Sequence, residues 1–99
     1  MRRLVWALRA RDEFRRIITY IAEENPLAAE SVATRIEKTL RQLTDMPTGR
    51  QGRVRGTYEK SVTGLPYIIA YALGDTELVV LHIIHGARDW PEDTWPDDD

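Results

Sequence analysis

The apolar residues in the first half of the chain recur with a helical period. Between residues 10 and 24 they stand at i, i+3, i+4 and i+7, at Phe14, Ile17, Ile18 and Ile21. This spacing predicts an amphipathic helix over 10–24. Asn25-Pro26 ends it and begins a second helix, predicted to run to about Thr44, because Asn is a favoured N-cap and Pro is tolerated at the first helical position. So short a connection predicts a helical hairpin.

Strand patterns stand on both sides of this helical region. Residues 3–7 predict one short strand, and turn residues separate three further strand-like segments, at 57–63, 67–73 and 77–85. Residues 48–56 have the composition of a loop. The order is β-α-α-β-β-β, which predicts an α/β (α+β) domain with the helical hairpin packed on a four-stranded sheet.

The last two strands are apolar on both faces. Strict alternation would place Tyr67, Ile69, Tyr71 and Leu73 on one face and Ile68, Ala70 and Ala72 on the other. In the final strand it would place Val79, Leu81 and Ile83 opposite Leu78, Val80 and Ile84. One helical hairpin covers only one face of such a sheet, so the second face needs another cover. The C-terminal tail, a second copy or another protein could supply it, and we hypothesise that a partner protein supplies part.

Composition limits the class of protein. Ninety-nine residues, 42% hydrophobic and 30% charged, are typical of one small globular domain. No apolar run reaches the roughly 20 residues of a membrane helix, and no signal peptide is evident, so we expect a cytoplasmic protein. The absence of cysteine excludes a disulfide framework, a thiolate zinc site and a cysteine nucleophile.

The net charge of −2 hides two parts of opposite sign. Residues 92–99 hold five acids and no base, whereas residues 1–91 hold 14 basic and 11 acidic residues, a net +3. We therefore expect a single domain over 1–91 and a flexible acidic tail over 92–99, with Trp95 as its only anchor. Arginine outnumbers lysine 12 to 2, which reflects either genomic codon bias or the binding of phosphate and carboxylate groups.

Residues 49–56, hereafter the arginine loop, place three guanidinium groups on a glycine-rich backbone, at Arg50, Arg53 and Arg55. Such a loop could meet a nucleic-acid backbone or an acidic partner, or could simply be solvated. It lacks the Gly-Lys-Ser/Thr of a nucleotide-binding P-loop.

The other candidate residues follow the last strand or lie within it. His82 and His85 are three apart on a strand and so point to opposite faces, which argues against a shared metal. We expect His82 to be buried and hydrogen-bonded, and His85 to be available as a general base or a contact residue. Arg88, Asp89 and Trp90 form a possible recognition point, unless Trp90 folds back to seal the sheet edge.

Several of these segments together resemble the RelE/ParE superfamily of type II toxin–antitoxin toxins, and the ParE branch most closely. The matching stretches run from residue 3 to 91 and include Asn25-Pro26-Leu27-Ala28-Ala29, Gly52-Arg53-Val54-Arg55-Gly56 and the specific closing His85-Gly86-Ala87-Arg88-Asp89-Trp90. The resemblance implies a RelE/ParE-like fold with a helical hairpin on a small, twisted, mostly antiparallel sheet. It implies no metal and no cofactor.

The superfamily holds two activities on one fold, so both remain open. RelE-like members are ribosome-dependent, metal-independent mRNA endonucleases that commonly use an arginine in the third strand, where this chain has none. A nuclease here would have to rely on other side chains, namely Arg53, Arg55, Lys60, His85 and Arg88. A degenerate toxin that only binds its antitoxin is a further alternative.

ParE-like members instead poison DNA gyrase and need no active site of their own. On this reading the target-binding residues are Arg50, Arg53, Arg55, Arg88, Asp89 and Trp90. A ParD-like antitoxin would cover the apolar strands, at Tyr67, Ile69, Tyr71, Val80, His82 and Ile84. The resemblance thus implies a plasmid-stabilising, growth-inhibiting toxin held in a hetero-oligomer with its antitoxin.

Overall fold

The computed structural model describes residues 1–86 and Trp95. Its elements, in chain order, are β1 (Arg3–Trp6), α1 (Leu8–Glu24), α2 (Pro26–Asp45), β2 (Arg50–Gln51), β3 (Tyr58–Ser61), β4 (Tyr67–Leu73) and β5 (Glu77–His85). The strands form one sheet in the order β1-β5-β4-β3-β2. β1 runs parallel to β5, and all other neighbouring strands are antiparallel. The predicted α+β class is confirmed.

The sheet has five strands where four were predicted. The additional strand is β2, inside the segment that was predicted to be a loop, and its two residues pair with Glu59 and Tyr58 of β3. Two residues are too few to show an alternating pattern, which is why the sequence did not reveal this strand.

The helical hairpin forms as predicted. The Asn25 side chain accepts a hydrogen bond from the Ala28 N–H at 3.1 Å, and Pro26 is the first residue of α2. α1 begins at Leu8, two residues earlier than predicted, with no side-chain cap at Ala7. The two helices pack on each other, and both contact β1 or β5. No helix among residues 1–86 is both long enough and apolar enough to cross a bilayer.

The helices cover one face of the sheet, hereafter the first face. The buried cluster beneath them joins helix residues to strand residues, with Ile36, Leu40 and Leu43 from α2 and Ile69, Tyr71, Leu78, Val80 and Ile83 from the sheet. Tyr67 packs against the edge of this cluster. The helices therefore supply the first cover that the two-sided apolar strands require.

A β-bulge changes which residues of β5 share a face. Ala70 pairs with His82 but Tyr71 pairs with Val80, so Leu81 is an extra residue in β5. The prediction that Ile84 lies with Leu78 and Val80 was wrong, because the extra residue shifts the alternation by one position. Ile83 joins the first-face cluster, and Ile84 lies on the opposite face.

The opposite face, hereafter the second face, has its own small apolar cluster. Ile68, Ala70 and Ile84 are buried there, and Trp95 packs against them. The sequence left three candidate covers for this face: the tail, a second copy or another protein. The tail supplies part of the cover through Trp95, the residue predicted to anchor it. The intramolecular tryptophan accounts for part of the cover that we had assigned to a partner.

Candidate functional site

The arginine loop contains β2 and most of the turn that joins β2 to β3 in a short hairpin. The Gly52 N–H donates to the Thr57 carbonyl at 2.8 Å, and the Thr57 N–H and hydroxyl both donate to the Val54 carbonyl. These bonds close the loop on itself, so the guanidinium groups rise from an ordered turn. All three of its arginines are exposed.

A buried carboxylate holds this loop against the sheet. Glu59 is only 2% exposed, and its Oε2 accepts the Arg53 backbone N–H at 2.8 Å. Its Oε1 lies 3.6 Å from the guanidinium of Arg50, whose side chain is 68% exposed. Because Glu59 pairs with Ala70, whose side chain belongs to the second-face cluster, the carboxylate also lies on the second face.

A tyrosine fixes the start of the arginine loop from the first face. The Tyr71 hydroxyl accepts the Gly49 N–H at 2.9 Å, and its ring stacks on Tyr58 with centroids 5.6 Å apart. Burial of the phenol raises the pKa of Tyr71 above its usual value, although the Gly49 hydrogen bond acts in the opposite direction. The loop is therefore held on both sides of the sheet.

A second buried carboxylate lies at the other flank of the sheet. β1 ends at Trp6, beside Val80, so β5 continues without a neighbouring described strand on that side. Glu13 of α1 supplies the hydrogen-bond acceptor that a neighbouring strand would otherwise provide, because its Oε1 accepts the Ile83 N–H at 2.9 Å. Its Oε2 lies 3.1 Å from Nδ1 of His82. The carboxylate can only accept, which assigns the Nδ1 proton to the histidine.

His82 links this carboxylate to the tail. Its imidazole is buried and its ring centroid lies 4.5 Å from that of Trp95, with the ring planes tilted by 38°. The prediction that His82 is a buried, hydrogen-bonded histidine is confirmed. The second face thus carries an apolar centre topped by an aromatic pair, with the arginine loop at one side and Glu13 at the other.

Three of the five nuclease candidates are divided between the two faces, and Arg88 lies outside the described residues. The Arg53 backbone is bonded on the second face. Lys60 pairs with Ile69 of the first-face cluster, and His85 pairs with Tyr67, so both side chains lie on the first face. Among residues 1–86 and Trp95, no three His, Asp or Glu side chains are close enough to hold a metal ion.

The residues assigned to the antitoxin are also divided between the faces. Ile69, Tyr71 and Val80 are fully buried beneath the helices and present no surface in this conformation. Tyr67 lies at the edge of that core, where its ring meets His85 edge-on at 5.6 Å. His82 and Ile84 belong to the second face. Of the target-binding residues, Arg88, Asp89 and Trp90 lie outside the described part of the chain.

Sequence reasoning missed both buried carboxylates. Glu13 stands three residues after Ala10 and four before Ile17, so helical spacing places it in the apolar stripe, and this signal was available. Glu59 gave no comparable signal, because its partners are a loop amide and an arginine nine residues away in sequence.

A further groove lies between α1, α2 and β1. Its floor is apolar, with Trp6 and Phe14 in a tilted ring contact at 5.3 Å and Ile18 beside them. Arg11, Arg15 and Glu37 also line it, and neither guanidinium group makes a hydrogen bond or ion pair with any residue in the described part of the chain. An acidic, partly apolar protein segment would suit this groove.

Comparison with known proteins places this geometry in a family. Residues 4–90 match the model of the ParE toxin of the type II toxin–antitoxin system parDE. The chain is 34% identical over 92 residues to Y4kP of Sinorhizobium fredii, named as a candidate toxin, covering 92% of this chain and 95% of that one. It is 33% identical over 89 residues to toxin RelE2 of Caulobacter vibrioides, covering 89% and 99%.

A solved structure supports the fold independently. One chain of the chromosomal ParDE system from P. aeruginosa superposes with a TM-score of 0.78 at 19% sequence identity, covering 86% of this chain and 96% of that chain. At this identity the likeness concerns the fold alone.

Proposed function

The chain belongs to the ParE toxin family of type II toxin–antitoxin systems, and from this membership we propose that it inhibits DNA gyrase and is neutralised by a ParD-like antitoxin. Such a toxin would work in the cytoplasm, where it would stop growth by stabilising the cleaved gyrase–DNA complex. It would need a rigid binding surface and no catalytic group of its own.

The observation that carries this choice is the division of the nuclease candidates between two faces. Endonucleolytic cleavage by 2′-hydroxyl attack needs a base, an acid and charge stabilisation around one phosphate. Lys60 and His85 lie on the first face, whereas the backbone that carries Arg53 is bonded to Glu59 on the second face, which does not favour their assembly around one phosphate. β4 also carries no arginine. This arrangement favours a binding toxin.

We assign the gyrase contact to the arginine loop and to Arg88, Asp89 and Trp90. The ordered loop supports its half of the assignment, because Glu59 and Tyr71 fix the backbone from which Arg50, Arg53 and Arg55 project. A fixed backbone lowers the entropy lost when exposed arginines bind.

The antitoxin is assigned to exposed parts of the same fold. Tyr67, His82 and Ile84 remain its proposed contacts on the strands, whereas Ile69, Tyr71 and Val80 could contribute only if the core opened. The groove between α1, α2 and β1 adds a surface suited to an acidic partner segment.

One experiment separates the possible activities. Purified toxin is incubated with gyrase and supercoiled plasmid, and in parallel with translating ribosomes and mRNA. We expect linearised, gyrase-bound DNA in the first reaction and intact mRNA in the second. The name of the relative RelE2 makes ribosome-dependent cleavage the alternative, and its appearance without a gyrase effect would overturn the proposal. Inactivity in both reactions would indicate a degenerate toxin.

The residue assignment has its own test. Arg88→Ala and Trp90→Ala should each relieve growth inhibition, and the double variant Arg53→Ala/Arg55→Ala should weaken gyrase binding. Arg41→Ala is the matched control, because Arg41 is exposed on α2 and its guanidinium bonds to no residue in 1–86 or to Trp95. Circular dichroism must show folded protein for every variant. Full toxicity in all the site variants would remove the assignment.

A further inference from the structure

The second face holds a tryptophan from the chain's own tail in a site formed by Ile68, Ala70, His82 and Ile84, hereafter the seat. Trp95 packs on the buried side chains of Ile68, Ala70 and Ile84 and stacks against the His82 imidazole. The tryptophan itself is only half-buried. The contact is specific in geometry and lies outside the helix-covered core, which is the condition for a side chain that can leave its seat without unfolding the domain.

The seat is built by the domain and not by the tryptophan. Glu13 fixes the His82 imidazole from below through the 3.1 Å contact to Nδ1, and β4 and β5 fix the three aliphatic side chains through their backbone pairing. None of these supports involves the tail. A ring that arrives from another chain would meet the same prearranged surface.

The charge around the seat favours an acidic occupant. Glu59, which bonds the arginine loop, is the cross-strand neighbour of Ala70, so the base of the loop adjoins the apolar seat. In sequence, Trp95 stands between Glu92-Asp93 and Asp97-Asp98-Asp99. Carboxylates beside the aromatic anchor are complementary to the exposed guanidinium of Arg50, which lies 3.6 Å from the Glu59 carboxylate next to the seat.

We propose that the second face is a binding site for an acidic protein segment with one aromatic anchor, and that Trp95 occupies this site in the free chain. The tail then acts as an intramolecular competitor. A partner segment of this chemistry binds only during the fraction of time in which the seat is open, so its apparent dissociation constant equals the intrinsic constant divided by that fraction. This inference does not depend on gyrase being the target.

The test uses the full-length chain and a labelled peptide that copies residues 92–99, EDTWPDDD. Fluorescence anisotropy measures its binding to wild-type protein and to Trp95→Ala. We expect the variant to bind about tenfold more tightly than wild type if the tail fills the seat roughly nine-tenths of the time. A peptide with alanine in place of tryptophan should not bind either protein, and binding of the original peptide should weaken as salt rises.

Trp95→Phe is the matched control, because a phenyl ring can still fill the seat. This variant should bind the peptide as weakly as the wild-type protein does. Absence of peptide binding to Trp95→Ala would overturn the proposal, as would equal binding to all three proteins. The proposal would also fail if a single-stranded oligonucleotide, and not the acidic peptide, bound Trp95→Ala more tightly than wild type. In that case the seat would serve a nucleobase.

Discussion

Glu13 should contribute more to stability than any exposed acid on the same helix. Its side chain is 12% exposed and accepts from two groups on β5, the Ile83 N–H and Nδ1 of His82. Both donors lie where β1 has ended and no described strand can replace the lost partner. Glu13→Ala leaves both donors without an acceptor inside a site too closed for free hydration.

The expected cost follows from these two hydrogen bonds. A buried donor left unsatisfied costs about 1–3 kcal/mol, so Glu13→Ala, which leaves two, should lose roughly 2–6 kcal/mol of unfolding free energy. Glu13→Gln keeps one carbonyl acceptor and should lose about 1 kcal/mol. Small domains have a free energy of unfolding of only about 5–15 kcal/mol, so the alanine variant should keep only a small part of its stability.

Urea unfolding followed by circular dichroism measures the effect. With a slope of about 2 kcal/mol/M, the alanine variant should unfold at a midpoint lower by about 1–3 M. Glu23→Ala is the control, since Glu23 is exposed on α1 without a described partner, and it should stay within about 0.5 kcal/mol of wild type. Equal unfolding free energies for the Glu13 and Glu23 alanine variants would refute the structural role of Glu13.

Further predictions concern the arginine loop and its supports. Glu59→Ala should cost about 2–3 kcal/mol in urea unfolding because it leaves a loop amide unsatisfied, whereas Glu59→Gln should cost less; equal costs would contradict this. Gly49→Ala would place a Cβ 2.7 Å from the Glu59 carbonyl and against the Tyr71 hydroxyl, so it should destabilise by about 1–3 kcal/mol, while Gly74→Ala, with ordinary contacts, serves as the control. The folded chain holds the Tyr71 phenol proton more tightly than the unfolded chain, so the protonated phenol contributes to the free energy of unfolding. That contribution is complete below about pH 10 and is lost as pH rises through the higher pKa of the folded state. Tyr71→Phe should remove that alkaline loss in urea titrations at increasing pH, and an unchanged pH profile would contradict the assignment.

The sequence predicted those parts of the fold that repeat a local pattern. The helices follow from the 3.6-residue period and from Asn25-Pro26, and the long strands follow from their β-branched and aromatic residues. The bulge at Leu81 could not be read in the same way, because a run of consecutive apolar residues fits either register. Only the pairing with β4 fixes where the extra residue falls.

The candidate site was predicted less completely, because its supports are non-local. The arginine loop was found from its composition, but the carboxylate that holds it lies in β3, outside the loop, at Glu59. The seat of Trp95 joins β4, β5 and the tail, so no window of consecutive residues contains it. The residues assigned to the target and those assigned to the antitoxin overlap on the second face. The arginine loop is bonded there through Arg53, and His82 and Ile84 lie there as well.

The two buried carboxylates explain how so small a domain pairs the backbone N–H groups at the flanks of that face. Each accepts a backbone N–H at a point where strand pairing is incomplete, Glu59 from Arg53 beside the two-residue β2 and Glu13 from Ile83 beyond the end of β1. Each also has a further polar neighbour, the Arg50 guanidinium or the Nδ1–H of His82, which offsets part of the cost of burying a carboxylate. An aliphatic residue at either position would bury as much surface but would leave the amide unpaired. A carboxylate at each flank thus replaces a missing strand, and the surface between them is formed before any partner arrives.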